Sequence, residues 1–122
     1  MLNSSLGFVL LFVADPIKSC EFYQKLFGID PIELHPTFAL FNLNNGVKLG
    51  LWSHKTAEPP VTVGGGGSEI CFASDTVESV YEQCIKQGIS IAQQPTDMDF
   101  GRTFVALDLD GHRIRVYKLW EK

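Results

Sequence analysis

Gly111-His112-Arg113-Ile114-Arg115-Val116-Tyr117 repeats the pattern of Gly46-Val47-Lys48-Leu49-Gly50-Leu51-Trp52, 65 positions earlier, and a turn residue, Asp110 or Asn45, precedes each segment. An offset of 60 positions aligns five more residues of the first half with identical residues of the second: Phe12, Asp15, Ser19, Gly28 and Ile29. A repeat of this length indicates two copies of one supersecondary unit, neither of which buries its apolar face alone. We therefore expect function to lie where the copies meet.

The first copy has the pattern of a strand, a helix and three strands. A strand is predicted over Phe8–Ala14, after which Asp15 is a helix N-cap and Pro16 a favourable first helical residue. Apolar residues at helical spacing are predicted to face inward until Gly28 ends the helix: Ile17, Cys20, Tyr23 and Phe27. Three short strands are predicted next: Pro31–His35, Thr37–Leu43 and Val47–Ser53. Asn44-Asn45-Gly46 is the hairpin turn before the last of them.

The second copy repeats this order. A strand is predicted over Glu69–Ala73, and Asp75 with Glu78 forms a capping-box pattern for a helix closed by Gly88. Its inward residues are Val77, Val80, Tyr81, Cys84 and Ile85. The later strands are Ser90–Gln93, Thr103–Leu109 and Arg113–Leu119, with Pro95–Phe100 as a rim loop. The modules are thus 1–55 and 67–122, joined by the glycine- and proline-rich connector 56–66 within one domain, 1–122.

Composition excludes several classes of protein. The 122 residues are 45% hydrophobic and 20% charged, which is typical of a globular domain. A net charge of −4 provides no basic surface, so neither nucleic acid nor an anionic membrane is an expected partner. The apolar run Leu6–Val13 is too short to span a bilayer. Three cysteines without a C-x-x-C spacing fit a reducing cytoplasm better than a disulfide framework.

Two segments carry a resemblance to a known superfamily. The first is Val13-Ala14-Asp15-Pro16-Ile17-Lys18-Ser19, leading to Phe22-Tyr23 and Leu26-Phe27-Gly28. The second, Gly101–Ile114, contains a phenylalanine strand and Asp108-Leu109-Asp110-Gly111, where the family usually has proline in place of leucine. Over nearly its whole length the chain resembles the glyoxalase, bleomycin-resistance and extradiol-dioxygenase superfamily, the vicinal oxygen chelate proteins. The resemblance implies an α+β fold in which two tandem βαβββ modules form a curved mixed-sheet cup.

The resemblance also implies four metal-ligand positions, which here hold Phe8, Gly50, Glu69 and Arg115, or Ser68 in place of Glu69 at the strict offset of 60. Only Glu69 has a suitable donor, since Arg115 carries a permanent positive charge and only hydrogen-bond donors. We therefore expect no metal and no cofactor. The other possible ligands, Glu33, His35, His54 and His112, are more typical of a solvated surface.

Strand alternation predicts which side chains line the cup. Val47, Leu49 and Leu51, like Ile114 and Val116, are expected beneath the helices. The opposite faces then carry the candidate ligand-binding residues: Phe8, Gly50, Trp52, Glu69, Arg115 and Tyr117. Gly50 is expected to leave room, while Phe100 and Arg102 on the rim loop are expected to close over a ligand. The alternative to ligand binding by Arg115 and Glu69 is a structural ion pair between them. Trp120 is expected at an edge or interface.

Three functions fit these features. The preferred hypothesis is a metal-free, non-catalytic cup that sequesters a small aromatic or drug-like compound, as the resemblance to the bleomycin-resistance branch implies. The second is a lyase, isomerase or dioxygenase of the same superfamily with an atypical metal site or none. The third is a regulatory or structural dimer without a small ligand. A homodimer is expected in each case, because modules of the superfamily commonly pair between chains.

Overall fold

A computed structural model describes residues 1–44, 46–61 and 64–122. The chain divides into two compact units, Met1–Val63 and Gly64–Lys122. Asn45 of the predicted hairpin turn, and Thr62 and Val63 of the predicted connector, lie outside the described residues. Neither of the two helices in the described part is long and apolar enough to cross a membrane.

The first unit consists of one helix and one four-stranded mixed sheet. Its elements are β1 (Phe8–Val13), α1 (Pro16–Phe27), β2 (Glu33–His35), β3 (Phe38–Asn42) and β4 (Lys48–Ser53). The strands lie in the order β1-β4-β3-β2; β1 is parallel to β4 and the other neighbours are antiparallel. The predicted βαβββ order is therefore confirmed, with strand ends shifted by one or two residues.

The second unit repeats this topology. Its elements are β5 (Glu69–Ala73), α2 (Val77–Lys86), β6 (Ile91–Asp97), β7 (Gly101–Leu107) and β8 (Arg113–Leu119). The strand order is β5-β8-β7-β6, again with one parallel pair, β5 with β8. The predicted α+β class with two βαβββ units is confirmed.

Each sheet packs one face against its helix, as alternation predicted. In the first unit Leu49 and Leu51 of β4 are fully buried, and the ring of Phe41 in β3 meets Phe27 of α1 edge-on at 5.7 Å between centroids. In the second unit Ile114 and Val116 are buried on the same side as Phe104, whose ring lies 5.4 Å from that of Tyr81 on α2. The faces turned away from the helices are therefore identified by strand alternation.

Two predicted inward residues are exposed. Ile17 in the first turn of α1 is 37% exposed, and Ile85 in the last turn of α2 is 50% exposed. Both lie in a terminal turn of their helix. The central residues Cys20, Tyr23 and Cys84 are buried as predicted.

The two helices begin differently. The Asp15 carboxylate accepts hydrogen bonds from the backbone N–H groups of Ile17 and Lys18, so the predicted cap of α1 is confirmed. In α2 the N-cap is Thr76, whose side chain makes no capping bond, and the predicted Asp75 cap is wrong. The backbone N–H of Thr76 instead donates to Ser74 Oγ at 3.1 Å.

Strand pairing explains this shift. Phe8 lies opposite Lys48, and Glu69 lies opposite Arg113, which is 65 positions after Lys48. Phe8 and Glu69 are therefore equivalent at an offset of 61, as are the two N-caps, whereas the positive-φ glycines after the helices, Gly28 and Gly88, are 60 apart. The second unit is one residue shorter within its helical segment. This register assigns Glu69, not Ser68, to the position of Phe8.

Half of the predicted rim loop Pro95–Phe100 is strand. β6 continues through Pro95 and Thr96 to Asp97, with register shifts between Ile91 and Gln93 and between Gln93 and Thr96 against β7. The extra residues of the second unit are taken up as bulges in a lengthened β6–β7 hairpin. Only Met98, Asp99 and Phe100 remain as the turn.

Candidate functional site

The face of the first sheet that is turned away from α1 carries four aromatic rings, which we call the aromatic face: Phe8, Phe12, Phe38 and Trp52. The register places Phe12, Trp52 and Phe38 side by side across β1, β4 and β3. Phe12 and Trp52 have ring centroids 5.9 Å apart, and Phe8 is stacked with Phe38 at 6.4 Å. The ring planes are inclined by 34° in the first pair and 21° in the second, and aromatic rings of this kind can stack with a flat molecule.

Gly50 lies in the middle of the aromatic face, but the space above it is filled. A Cβ atom built on Gly50 would stand 2.6 Å from a ring carbon of Phe8 and 2.7 Å from a methyl carbon of Leu10. The expectation that Gly50 leaves room for a ligand is therefore wrong. The glycine allows Phe8 and Leu10 to close over the strand, and the two metal-ligand positions of this unit become one apolar contact.

The corresponding face of the second sheet carries an ion cluster, which we call the arginine cluster: Glu69, Arg113 and Arg115. Arg115 donates from Nε to Glu69 Oε1 at 2.7 Å and from Nη2 to Oε2 at 3.1 Å, a bidentate pair. Its Nη1 donates to Gln93 Oε1 and Thr103 Oγ1, both at 3.1 Å. The structural ion pair that the sequence left as an alternative is thus present.

Arg113 has fewer hydrogen-bond partners than Arg115 among the described residues. Its Nη2 contacts Glu69 Oε2, and its Nε is buried without a hydrogen-bond acceptor among the described residues. The Arg113 side chain is 40% exposed, compared with 15% for Arg115. A buried donor without a partner is costly, so Arg113 is the weakly satisfied member of the cluster.

The arginine cluster does not fit a metal ion. The hydrogen bond from Arg115, strengthened by the charges of both arginines, lowers the pKa of Glu69, so this carboxylate stays ionised and bound to guanidinium groups. The same hydrogen bond raises the pKa of Arg115. No three His, Cys, Asp or Glu side chains lie together in the described ranges. In the other unit Phe8 lies over Gly50, and neither residue has a side-chain atom that binds a metal. None of the four family positions therefore offers a free metal ligand.

Tyr117 and Cys71 share the face of the arginine cluster. Tyr117 lies two residues beyond Arg115 in β8, and Cys71 is the direct partner of Arg115 across the β5–β8 pair. Cys71 is exposed, whereas Cys20 and Cys84 are buried on the helices and burial raises the pKa of both thiols. Cys71 is therefore the thiol on this face that solvent can reach.

Arg102 does not share the face of Arg115. It is the second residue of β7, and it ion-pairs with Glu78 of α2 at 2.7 Å and with Asp97 at 3.0 Å. Thr103, its neighbour, points the other way and contacts Arg115. The expectation that Arg102 closes over a ligand beside Arg115 is therefore wrong. The predicted strand began at Thr103; had it been extended back to Arg102, strand alternation would have placed Arg102 on the opposite face from Thr103.

Phe100 and Trp120 lie together at the end of the β6–β7 hairpin. The backbone N–H of Trp120 donates to the Phe100 carbonyl at 3.0 Å, and its indole Nε1 donates to the Met98 carbonyl at 2.9 Å. Both rings are partly exposed, at 40% and 48%. Trp120 thus follows the end of β8, an inner strand, and packs against the β6–β7 turn. Phe100 is in that turn, and its part in ligand binding stays a prediction.

Sequence reasoning missed residues that register brings into these faces. Phe38 was not singled out, although its position in β3 places it directly opposite Trp52. Gln93 and Thr103 bind Arg115 from β6 and β7. Arg113 lies two residues before Arg115 in β8 and therefore on the same face, but it was not assigned to the site. The pairing of β7 with β8, which the Asp110-Gly111 turn sets, was the signal that could have found Thr103.

Known proteins resemble the chain over most of its length. A family model described as the Glyoxalase/Bleomycin resistance protein/Dioxygenase superfamily matches residues 5–116. The phenazine antibiotic resistance protein EhpR of Enterobacter agglomerans is 31% identical over 116 residues, which cover 90% of this chain and 88% of that protein.

Two solved structures are similar as well. The solution structure of protein ATC0852 from Agrobacterium tumefaciens is 44% identical, with a TM-score of 0.89 and coverage of 97% of this chain and 99% of that one. A glyoxalase/bleomycin resistance protein/dioxygenase family enzyme from Burkholderia phytofirmans PsJN shares the fold at 22% identity, with a TM-score of 0.81 and coverage of 96% and 100%. The chain therefore belongs to the glyoxalase/bleomycin resistance protein/dioxygenase superfamily.

Proposed function

We propose that this protein binds a small, flat aromatic or drug-like compound in the cytoplasm and sequesters it without chemical change and without a metal. The compound stacks on the aromatic face of the first unit. Binding alone is then the function, as in a resistance protein that lowers the free concentration of a toxic molecule.

One observation carries this proposal: the four family metal-ligand positions are occupied by groups already committed to other contacts. Phe8 covers Gly50 in the first unit, and Arg115 with Arg113 covers both oxygens of Glu69 in the second. To bind a metal, the Glu69 carboxylate would have to break its contacts with the arginines, which costs two charge-assisted hydrogen bonds. A face of aromatic rings requires no such change to bind a flat molecule.

The relatives support the class of ligand. The name of EhpR, a phenazine antibiotic resistance protein, refers to a flat tricyclic aromatic compound. A compound of this shape suits a face on which Phe12, Trp52 and Phe38 form a row across three strands. We therefore choose phenazine and similar fused-ring compounds as the first ligands to test.

Tryptophan fluorescence tests the proposal directly. Fused-ring compounds, phenazine among them, are titrated into the wild-type protein, Trp52→Phe and the matched control Trp120→Phe. We expect saturable quenching in the wild type and in Trp120→Phe but a much smaller signal in Trp52→Phe, because Trp52 lies within the aromatic face. Chromatography after incubation is expected to recover the compound unchanged.

Two results would contradict the proposal. The first is the absence of saturable binding for every compound tested. The second is conversion of a compound by protein that elemental analysis, after purification without a histidine tag, shows to contain stoichiometric metal. That result would favour a lyase, isomerase or dioxygenase of the same superfamily.

A further inference from the structure

We propose that His35 accepts a hydrogen bond from the ligand and that Glu33 holds its imidazole in the tautomer that can accept it, so that the preferred compounds are flat aromatic amines. This inference rests on the proposed function and deepens it by naming the chemical class of the compound. Both residues lie in β2, which belongs to the same sheet as the aromatic face, so every residue it invokes is in the first unit.

His35 extends the row of rings on the aromatic face. It lies directly opposite Phe38, which lies opposite Trp52, which in turn lies opposite Phe12. Residues directly opposite each other in paired strands have their side chains on the same face of the sheet. The row therefore crosses all four strands and, with neighbouring strands about 4.8 Å apart, is about 14 Å long. A fused-ring compound stacked over Trp52 and Phe38 would have one edge beside His35.

Glu33 determines which nitrogen of this imidazole carries the proton. It lies two residues before His35 in β2, on the same face, and its Oε1 is 3.3 Å from His35 Nε2. An ionised carboxylate only accepts hydrogen bonds, so Nε2 is the donor of this pair. In the described part of the chain this is the only hydrogen bond of the His35 side chain. In the neutral ring Nδ1 is then an acceptor that a ligand can use.

The exposure and charge of this pair favour a hydrogen-bond donor on the ligand. The side chains of His35 and Glu33 are 58% and 50% exposed, so a ligand reaches them without moving the core. Glu33 forms no ion pair with a lysine or arginine among the residues that the structure describes. The end of the row therefore carries a formal charge of −1, which repels an acidic group and favours the N–H of an aromatic amine.

Two substituted phenazines provide matched probes, 2-aminophenazine and 2-methylphenazine. They are similar in size and shape, but only the amine donates a hydrogen bond. Their affinities are measured by tryptophan fluorescence at about pH 8.5, where an imidazole is neutral. We expect the wild type to bind the amine about threefold to tenfold more tightly, which is the net effect of one hydrogen bond.

His35→Phe tests the acceptor, because it keeps a flat ring in the row and removes the nitrogen atoms. This variant is expected to bind the two probes equally and to bind 2-methylphenazine at least as tightly as the wild type does. Substitutions at exposed positions of this kind are expected to leave the fold intact.

Glu33→Lys tests the positioning role of the carboxylate. A lysine ammonium only donates, so it requires Nε2 to accept and moves the imidazole proton to Nδ1, which can then no longer accept. We expect this variant to lose the preference for the amine. Long-range ¹H–¹⁵N correlation spectra of His35 are expected to show the Nε2–H tautomer in the wild type and a large share of Nδ1–H in Glu33→Lys.

Glu21→Lys is the matched control. It makes the same change of charge at an exposed position of α1 in the same unit. It is expected to keep both the preference for the amine and the Nε2–H tautomer of His35.

The outcomes separate this inference from the proposed function. Equal binding of the two probes to the wild type, or a preference that survives in His35→Phe, would overturn the assignment of His35 and leave the proposed function standing. A preference that survives in Glu33→Lys, or is lost equally in Glu21→Lys, would overturn the role of Glu33. Failure of both probes and of every other fused-ring compound to bind the wild type would overturn the proposed function, and this inference with it.

Discussion

At the scale of single residues, the site is determined by what each side chain meets across the sheet. The sequence showed that Phe8, Gly50 and Arg115 have no side-chain atom that could bind a metal, because this follows from residue type alone. It did not show that Phe8 and Leu10 would fill the space over Gly50. That contact depends on two rotamers and on the register of β1 with β4, which residue types leave open.

Gly50 and Gly101 give a prediction about close packing. A Cβ on Gly50 would meet the ends of two side chains, Phe8 and Leu10, each about 40% exposed and able to shift. A Cβ on Gly101 would instead meet the backbone of Lys118 and Leu119 in the neighbouring strand. We expect Gly50→Ala to lower the free energy of unfolding by about 1 kcal/mol and Gly101→Ala by about 3 kcal/mol, the two ends of the range for overpacking.

Urea denaturation measures these differences. Gly7→Ala is the matched control, since nothing lies within 4 Å of the position its Cβ would take. We expect this variant to unfold at the same urea concentration as the wild type or slightly above it, because alanine restricts the unfolded chain. A loss for Gly50→Ala as large as that for Gly101→Ala would mean that Phe8 and Leu10 are rigidly held.

At the scale of elements, helices and strands were predicted well because their patterns are local. The Asp15-Pro16 start and the Gly28 end of α1 are both confirmed. The start of α2 was misplaced because Asp75 and Glu78 have the spacing of a capping box, whereas the helix begins one residue later, with Thr76 as its N-cap. The missing residue in the helical segment changes the equivalence of the two units from 61 positions before the helices to 60 after them.

The end of β6 was misplaced for a related reason. Pro95 favours a loop, because proline lacks the N–H that a ladder requires. β6 is an edge strand with two register shifts, and such a strand accommodates proline. Because of this error, Arg102 was predicted in a loop and among the ligand-binding residues, although it belongs to β7 and lies on the helix-facing side.

The two helix starts give a matched prediction. Asp15→Ala removes two hydrogen bonds to the first turn of α1 and is expected to cost about 1 kcal/mol of stability. Thr76→Ala removes no capping bond from α2, so we expect a change of less than about 0.5 kcal/mol. Thermal unfolding followed by circular dichroism compares the two variants with the wild type. Equal losses would show that Thr76 caps α2 in solution.

At the scale of the whole molecule, the repeat predicts two units of one topology with different side chains on the sheet faces that are turned away from the helices. Period-two alternation was sufficient to assign Trp52, Arg115 and Tyr117 to those faces, because one face of each sheet is buried under a helix. The network around Glu69 was less accessible. It joins four strands, and pairings between distant segments are not encoded in any local pattern.

The aromatic face of the first unit leads to a prediction about the oligomeric state. Phe8 and Leu10 are each about 40% exposed, and apolar side chains exposed together on a sheet face favour association or ligand binding. With the pairing that the family resemblance implies, we expect a homodimer of about twice the chain mass of 13.6 kDa. Sedimentation velocity over a hundredfold range of concentration measures the mass, with and without the aromatic ligand. A monomer under all these conditions would contradict the dimer, and ligand binding by that monomer would show that one chain is sufficient for the proposed function.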